Sequence, residues 1–402
     1  MITLSLCFSH YCQFGPSIFG WCWWPIEATH LRKDNLNRLN PLQSRALSNQ
    51  RLRIAFGIDN AFTSHEVNRV KTFTAQAKSL INLSPSAWSL LSDTTHRNMR
   101  RSIIDRTGDC NGETRIQVVD LVHTLTLRMV LHVLFSMEEE AFNLPDRCFI
   151  ELASAINSTW IMSKTERTPP RFENNSRLQN AILAIFPPTQ DLSPQNNPLN
   201  MILPGFDTMW RIVLRMFIEI GFSTGVPHSE WRTQLAAFAR TPSKAAFVQR
   251  PGLDAVSVEH LVNEALRLYP PTKRLYRAFQ YYESSAVEVK ATDIEEAHTA
   301  EHIWGPSVMS FDPRRWHTLE NTQKQSFSPF GKKPVVCPAQ SAFGPMVIGL
   351  IVGVLFMELG DDWILGSTED RHGNLHPGIK LSNERDSYQY LYLARVDDRL
   401  AS

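Results

Sequence analysis

One stretch constrains this chain more than any other: residues 326–359, SFSPFGKKPVVCPAQSAFGPMVIGLIVGVLFMEL. Pro329, Phe330 and Gly331 form a turn signal, and a single cysteine, Cys337, follows. Behind it, Pro338 and the small residues Ala339, Ser341 and Ala342 lead into an almost uninterrupted apolar run over 346–357. That run has the length of a buried core helix and falls short of the roughly 20 residues that a membrane span needs. The pattern predicts one sulfur near a helix N-terminus, where backbone N–H groups and the helix dipole favour thiolate over thiol. From spacing alone the sulfur can be a nucleophile, a metal ligand or an inert buried thiol, and the inert reading weighs most. No CxxC and no nearby histidine supports zinc.

The rest of the chain is long enough to surround such a core. Its 402 residues suit one large domain or two ordinary ones, and 43% of them are apolar. The formal charge is +1, which gives no reason to expect nucleic acid as a partner. Six cysteines, Cys7, Cys12, Cys22, Cys110, Cys148 and Cys337, are scattered without a disulfide pattern, so reduced thiols are expected.

The first 24 residues are patchily apolar and end in Trp23 and Trp24, a poor secretory signal. A residual membrane anchor with interfacial tryptophans and a poorly ordered leader both stay open. Residues 28–50 are polar and basic and read as a linker, so 1–50 is taken as an N-terminal segment and 51–402 as the domain. After a turn-rich 52–64, a helix is expected over 65–81 with Val67, Val70, Phe73 and Ala77 on one face. His65 and Arg69 lie one turn apart on it, and His96 and Arg100 repeat that spacing. Residues 118–135 read as a core helix. His123 and His132 within it are not at ligand spacing, which favours a structural role. Residues 165–198, rich in Pro, Asn, Ser and Gln, read as a loop-dominated insertion or a lid.

Residues 199–222 form a long apolar helix interrupted by Pro204-Gly205, which must break its hydrogen-bond ladder. Asp207 and Thr208 follow at once. They are either a helix cap after the break or a proton-transfer pair beside a kink that can hold water. Residues 258–269 form an amphipathic helix stopped by Pro270-Pro271, with Glu264 and Arg267 facing the same way. Short alternating segments over 363–396 read as strands.

Four elements together resemble the cytochrome P450 superfamily. They are Gly205-Phe206-Asp207-Thr208, then Glu264-x-x-Arg267 followed by Leu-Tyr-Pro-Pro, then Phe311-Asp312-Pro313-Arg314-Arg315-Trp316, and then Phe330-Gly331 with Cys337 seven residues after the phenylalanine. Their order and spacing match the family from about residue 52 to 396. Lys333, Val335 and Ala339 replace usual residues of the cysteine loop, and Pro204 and Met209 those of the central helix. The resemblance implies a mainly helical fold with small β-sheets, shortened at the N-terminus. It implies a haem b (iron protoporphyrin IX) with Cys337 as axial iron ligand and Phe330 in the haem-binding loop. His65 and Arg69 would hold a propionate, with Arg277 as a second contact. Asp207 and Thr208 would deliver protons, and Glu264, Arg267 and Arg315 would form a structural triad. The implied activity is a monooxygenase that inserts one atom of O2 into a small apolar organic substrate. Its electron donor would be an NADPH-dependent reductase, with Lys332 and Lys333 as a basic docking face. By the same resemblance the expected location is the endoplasmic reticulum membrane; with no clear anchor, the cytoplasmic side or a soluble form stays open. Two rivals remain: a degenerate homologue with impaired haem binding, and a non-redox haem-thiolate isomerase or dehydratase.

Overall fold

The Phe343–Leu359 helix has no polar side, and its residues 343–356 are all buried. A helix apolar all round must be covered all round. Four helices do so: Pro85–Thr107, Met209–Ile218, Ser229–Arg240 and Val258–Leu268. Two glycines four residues apart set how closely two of them approach. A Cβ on Gly349 would stand 2.8 Å from Val258, and one on Gly353 would strike the Leu235 carbonyl. Both positions therefore demand a missing side chain for packing rather than for backbone freedom. The computed structural model describes residues 38–107, 115–223, 229–281, 286–332, 335–368, 375 and 379–395. The N-terminal anchor or leader, Lys333, and Cys7, Cys12, Cys22 and Cys110 lie outside the described residues.

The Val118–Phe135 helix has the predicted bounds. It ends where Ser136 turns into the left-handed conformation at φ 55°. It packs between Asp146–Thr165 and the central helix. Among the described residues it is the one helix long and apolar enough to cross a membrane, and most of it is interior. The central helix runs Leu199–Ile202, a π-turn over Leu203–Asp207, Met209–Ile218 and a second π-turn over Glu219–Ser223. Pro204 supplies no N–H and its ring crowds the preceding turn, so the helix widens where the sequence placed a break. Gly205 lies under Leu134 and Val130, 3.0 and 3.3 Å from where its Cβ would be.

Three readings of the sequence change. Residues 41–50 are helical and packed, not a linker. Asn40 Oδ1 accepts the Leu42 and Gln43 N–H groups at 3.0 Å, and Gln43 Oε1 accepts Asn40 N–H at 3.1 Å, with Pro41 at the first helical position. This capping box starts helix Pro41–Ser48, and Gln50–Phe56 follows. Residues 165–198 are not a free lid. Phe172, Leu178, Ile182, Ile185 and Phe186 are buried, and Asn197 Nδ2 donates to the carbonyls of Phe56 and Gly57 at 3.0 and 3.1 Å. The Val67–Ile81 helix presents Val70, Phe73 and Ala77 inward as expected, but they are half-buried and Val67 is exposed. That face lies across the turn Pro338–Ser341.

The strands are few. β1 (Arg115–Gln117), β4 (Trp363–Ser367) and β5 (Leu391–Arg395) form an antiparallel sheet in the order β1-β5-β4, with Leu393 opposite both Ile116 and Leu365. β2 (Arg274–Phe279) and β3 (Glu288–Asp293) form a hairpin with Arg277 opposite Lys290. Both outer-sheet strands after the core helix fall within 363–396, and Tyr388, at φ 71°, closes a turn just before the last one.

Candidate functional site

The turn before Cys337 is built by its backbone. Gly331 adopts φ +78°, a conformation that suits glycine, and its N–H donates to Ser328 O at 3.1 Å. The chain then doubles back, so that Cys337 N–H donates to Phe330 O at 2.9 Å. The Phe330 ring lies against Gly344, 3.1 Å from where a Cβ would sit, which locks the turn to the start of the core helix.

One expectation about the sulfur is corrected. Cys337 caps only a four-residue 3-10 turn, Pro338–Ser341, and the long helix begins at Phe343. The aligned dipole of that helix therefore starts six residues after the sulfur. Burial pushes the Cys337 thiol up, and the Ala339 N–H on the sulfur offsets this only in part.

Glu264, Arg267 and Arg315 meet in the interior, and Glu264 and Arg267 are wholly buried. Glu264 Oε1 accepts from Arg267 Nη2 at 2.7 Å, Arg315 Nε at 2.9 Å and Asp312 N–H at 3.0 Å. Oε2 accepts from Arg267 Nε at 2.9 Å and Trp316 Nε1 at 3.0 Å. A buried carboxylate with five donors is fully compensated. Arg267 Nη1 continues to His298 O at 2.9 Å, and His298 Nε2 accepts Ser328 N–H at 2.9 Å. His298 thus joins the triad to the cysteine turn. Burial, followed by the Arg267 charge, lowers its pKa to about 3, so the imidazole is neutral and able to accept. No motif marked His298 in the sequence; its role needs both neighbours in place.

On the central helix, Asp207 and Thr208 sit at the end of the first π-turn. The Thr208 hydroxyl lies 3.5 Å from Pro204 O, one turn back in the widened helix. Both Asp207 oxygens are occupied by Arg385: Nη2 donates to Oδ2 at 2.7 Å and Nη1 to Oδ1. Arg385, on the loop before β5, was not singled out in the sequence. Nearby, His123 is packed 4.4 Å from the Trp210 ring centroid, and burial takes its pKa down to about 3.

Of the two histidine–arginine pairs, His96 and Arg100 both bind Glu358 at the far end of the core helix, at 2.6 and 2.8 Å. Arg69 pairs with Asp59 at 3.0 Å, and His65 is exposed. The larger of two prominent cavities, about 830 Å³, lies beside His96 and Arg100, away from Cys337. A smaller one of about 250 Å³ borders Phe330, Gln340 and Ser341.

Two solved structures share this architecture, both from Thermus thermophilus. One is CYP175A1, with 14% identity over 78% of this chain and 76% of that chain and a TM-score of 0.50. The other, from a second strain, is a 6-coordinated cytochrome P450, with 15% identity over 79% and 80% and a TM-score of 0.51. The chain has the cytochrome P450 fold. No protein-family model and no curated protein matches the sequence.

The sequence motifs resemble those of a haem-binding family, and the residues present fit such a group. The half-buried Cys337 thiol carries the Ala339 N–H on its sulfur. Arg45, buried on the Pro41–Ser48 helix, has no hydrogen-bond partner for its Nε. Burial and then the neighbouring Arg277 lower the Arg45 pKa to about 10. Two guanidinium groups brought together in this way suit a dianionic edge such as a pair of propionates. The sequence had suggested Arg277; Arg45 was hidden in the stretch read as a linker.

Proposed function

We propose that this chain is a haem-thiolate monooxygenase in which Cys337 would supply the thiolate that holds a haem b. One atom of O2 would enter a small apolar organic substrate, with electrons from an NADPH-dependent reductase. The observation that carries this reading is the construction around Cys337: a half-buried thiol with a backbone N–H on its sulfur, on a turn tied through His298 to a fully compensated Glu264. A bound haem supplies the oxygen activation. The residues of this chain do the rest. The Ala339 N–H steadies charge on the sulfur. Arg45 and Arg277 would hold the carboxylates, and Arg69 and His65 are further candidates for that role. The Thr208 hydroxyl holds a proton at the bulge, and Asp207 is the adjoining acid. Lys332, half-buried in the cysteine turn with its ammonium on Gln325 O, is the basic residue at which a reductase with an acidic face would dock.

One observation favours a second reading. With both oxygens of Asp207 on Arg385, the acid is not poised to move a proton. A haem-thiolate isomerase or dehydratase needs neither a proton relay to oxygen nor a reductase.

The test is the absorption spectrum of purified, reduced protein under carbon monoxide, together with NADPH consumption in the presence of a reductase. A red-shifted Soret band that disappears in Cys337→Ala supports the thiolate. A histidine-type band in the parent refutes it. Thiolate spectra with no reductase-dependent NADPH consumption favour the second reading.

A further inference from the structure

Asp207, Arg211, Arg215 and Glu219 stand four residues apart, so they form one stripe along the central helix. Three of them bond directly to the strap of residues 379–390 that leads into β5, and Glu219 reaches it through Tyr269. Arg211 Nη2 donates to Asn383 O at 2.7 Å and to Asn383 Oδ1 at 2.9 Å. Arg215 Nε donates to Ser382 O at 3.1 Å, and its Nη2 donates to Glu384 O. Glu219 accepts the Tyr269 hydroxyl, which in turn accepts Leu381 N–H at 3.1 Å. The stripe thus satisfies strap backbone groups that no strand pairs.

The fourth contact differs in kind. Arg385 reaches Asp207 side chain to side chain, through both oxygens, with 9% and 6% of the two side chains exposed. Its Nη1 also donates to Asn157 Oδ1 at 3.2 Å, and its guanidinium lies 4.3 Å from the Trp160 ring centroid. A planar guanidinium held on three sides is a rigid partner for a carboxylate.

We propose that Arg385 is a positioning residue for Asp207. The strap delivers a guanidinium that holds both oxygens of the acid, and Asp207 becomes available to the adjoining Thr208 hydroxyl only when the strap lifts. The catalytic half of this inference rests on the monooxygenase reading; the pinning half does not. The groups around the pair are Arg211 and Arg215 on the same helix, Lys164 and Asn157 on the Asp146–Thr165 helix, His123 on Val118–Phe135, and Glu384 on the strap. Burial lowers the His123 pKa to about 3, so its imidazole is neutral through the range tested below.

The test uses the full chain and four variants: Arg385→Gln, Arg385→Lys, Asp207→Asn and the double Asp207→Asn/Arg385→Gln. Hydrogen exchange is followed at strap amides such as Leu381 and Ser382. Each glutamine or asparagine single should raise strap exchange about tenfold, the double no further, and Arg385→Lys less than Arg385→Gln. Parent-like exchange in all variants overturns the proposal. The second measurement is the fraction of NADPH electrons recovered as hydrogen peroxide, with a soluble NADPH-dependent reductase and no added organic substrate, from pH 5 to 8. In Arg385→Gln this fraction should vary about threefold across the range, and the variation should vanish in the double variant. A merely structural Arg385 would leave no pH dependence that Asp207→Asn removes, and that result overturns the catalytic half. If the parent shows no thiolate band, the monooxygenase reading fails, and exchange alone decides whether Arg385 pins the acid.

Discussion

Trp316 donates its indole N–H to Glu264 Oε2 at 3.0 Å, 52 residues away in the chain and on the side of the carboxylate opposite Arg315. The same ring packs 5.9 Å from Trp304 and 4.6 Å from Phe327. A small core of Trp304, Val308 and Trp316 therefore closes over the ion cluster, and Phe327 carries the chain into the cysteine turn. Glu264→Gln should cost about 3–5 kcal/mol, because it leaves two interior guanidinium groups without their counter-charge. Glu264→Gln/Arg315→Gln should be little worse than either single substitution. Urea denaturation of the four proteins checks this, and additive losses would show that the three charges do not act as a unit.

Thr208→Ala should keep the carbon monoxide spectrum of the parent, since the hydroxyl bonds only to the Pro204 carbonyl. On the monooxygenase reading it should send a larger share of NADPH electrons to peroxide. Product formation should fall by about 100-fold, the lower end of general acid–base contributions. Unchanged peroxide yield would make Thr208 a helix cap at a bulge.

Arg45→Gln should move two quantities in opposite directions. Haem-free protein should melt higher, because a buried cation beside Arg277 has been removed. Haem affinity should fall about tenfold or more, the weight of a charge-assisted hydrogen bond. Thermal melts of haem-free protein and haem transfer to an acceptor protein measure the two. Loss of stability with unchanged haem affinity would mean that Arg45 serves only the fold.

Glu219 gives a prediction in pH. Burial raises its pKa to about 7, and the hydrogen bonds from Tyr269 and Ser223 offset this only in part. The folded state holds the proton more tightly than the unfolded one. The stabilisation is therefore complete below the ordinary carboxyl range of about 4.5 and is lost as pH rises through about 7. The parent should lose stability on the order of 3 kcal/mol between those values, and Glu219→Gln should flatten that slope. Denaturation midpoints at pH 5 and pH 8 decide it; identical slopes would rule Glu219 out.

Several elements could be read from local sequence because their causes are local. The Val118–Phe135 helix follows from unbroken apolar residues, the π-turn at Leu203–Asp207 from Pro204-Gly205, and the turn before Cys337 from Pro329 and Gly331. The Pro41–Ser48 helix had an equally local cause in Asn40, Pro41 and Gln43, and polar composition concealed it. The 23-residue Pro85–Thr107 helix carries no clear apolar stripe. It is placed by a few buried residues, Trp88, Leu91 and Met99, against the core helix, and by long-range pairs such as His96 with Glu358.

By itself, the sequence determined that a mainly helical chain would bury one apolar helix behind a turn bearing a single cysteine. It also determined that a carboxylate and a hydroxyl would sit at a break in a second buried helix. Only the tertiary structure decided what those groups face. Arg385 meets Asp207 across 178 residues, and Arg315 meets Glu264 across 51. The ionisation of Glu219, His298 and Cys337 depends on burial by segments distant in the chain. The physical reason is that helical spacing fixes which residues share a face, whereas desolvation and ion pairing depend on which segment covers that face.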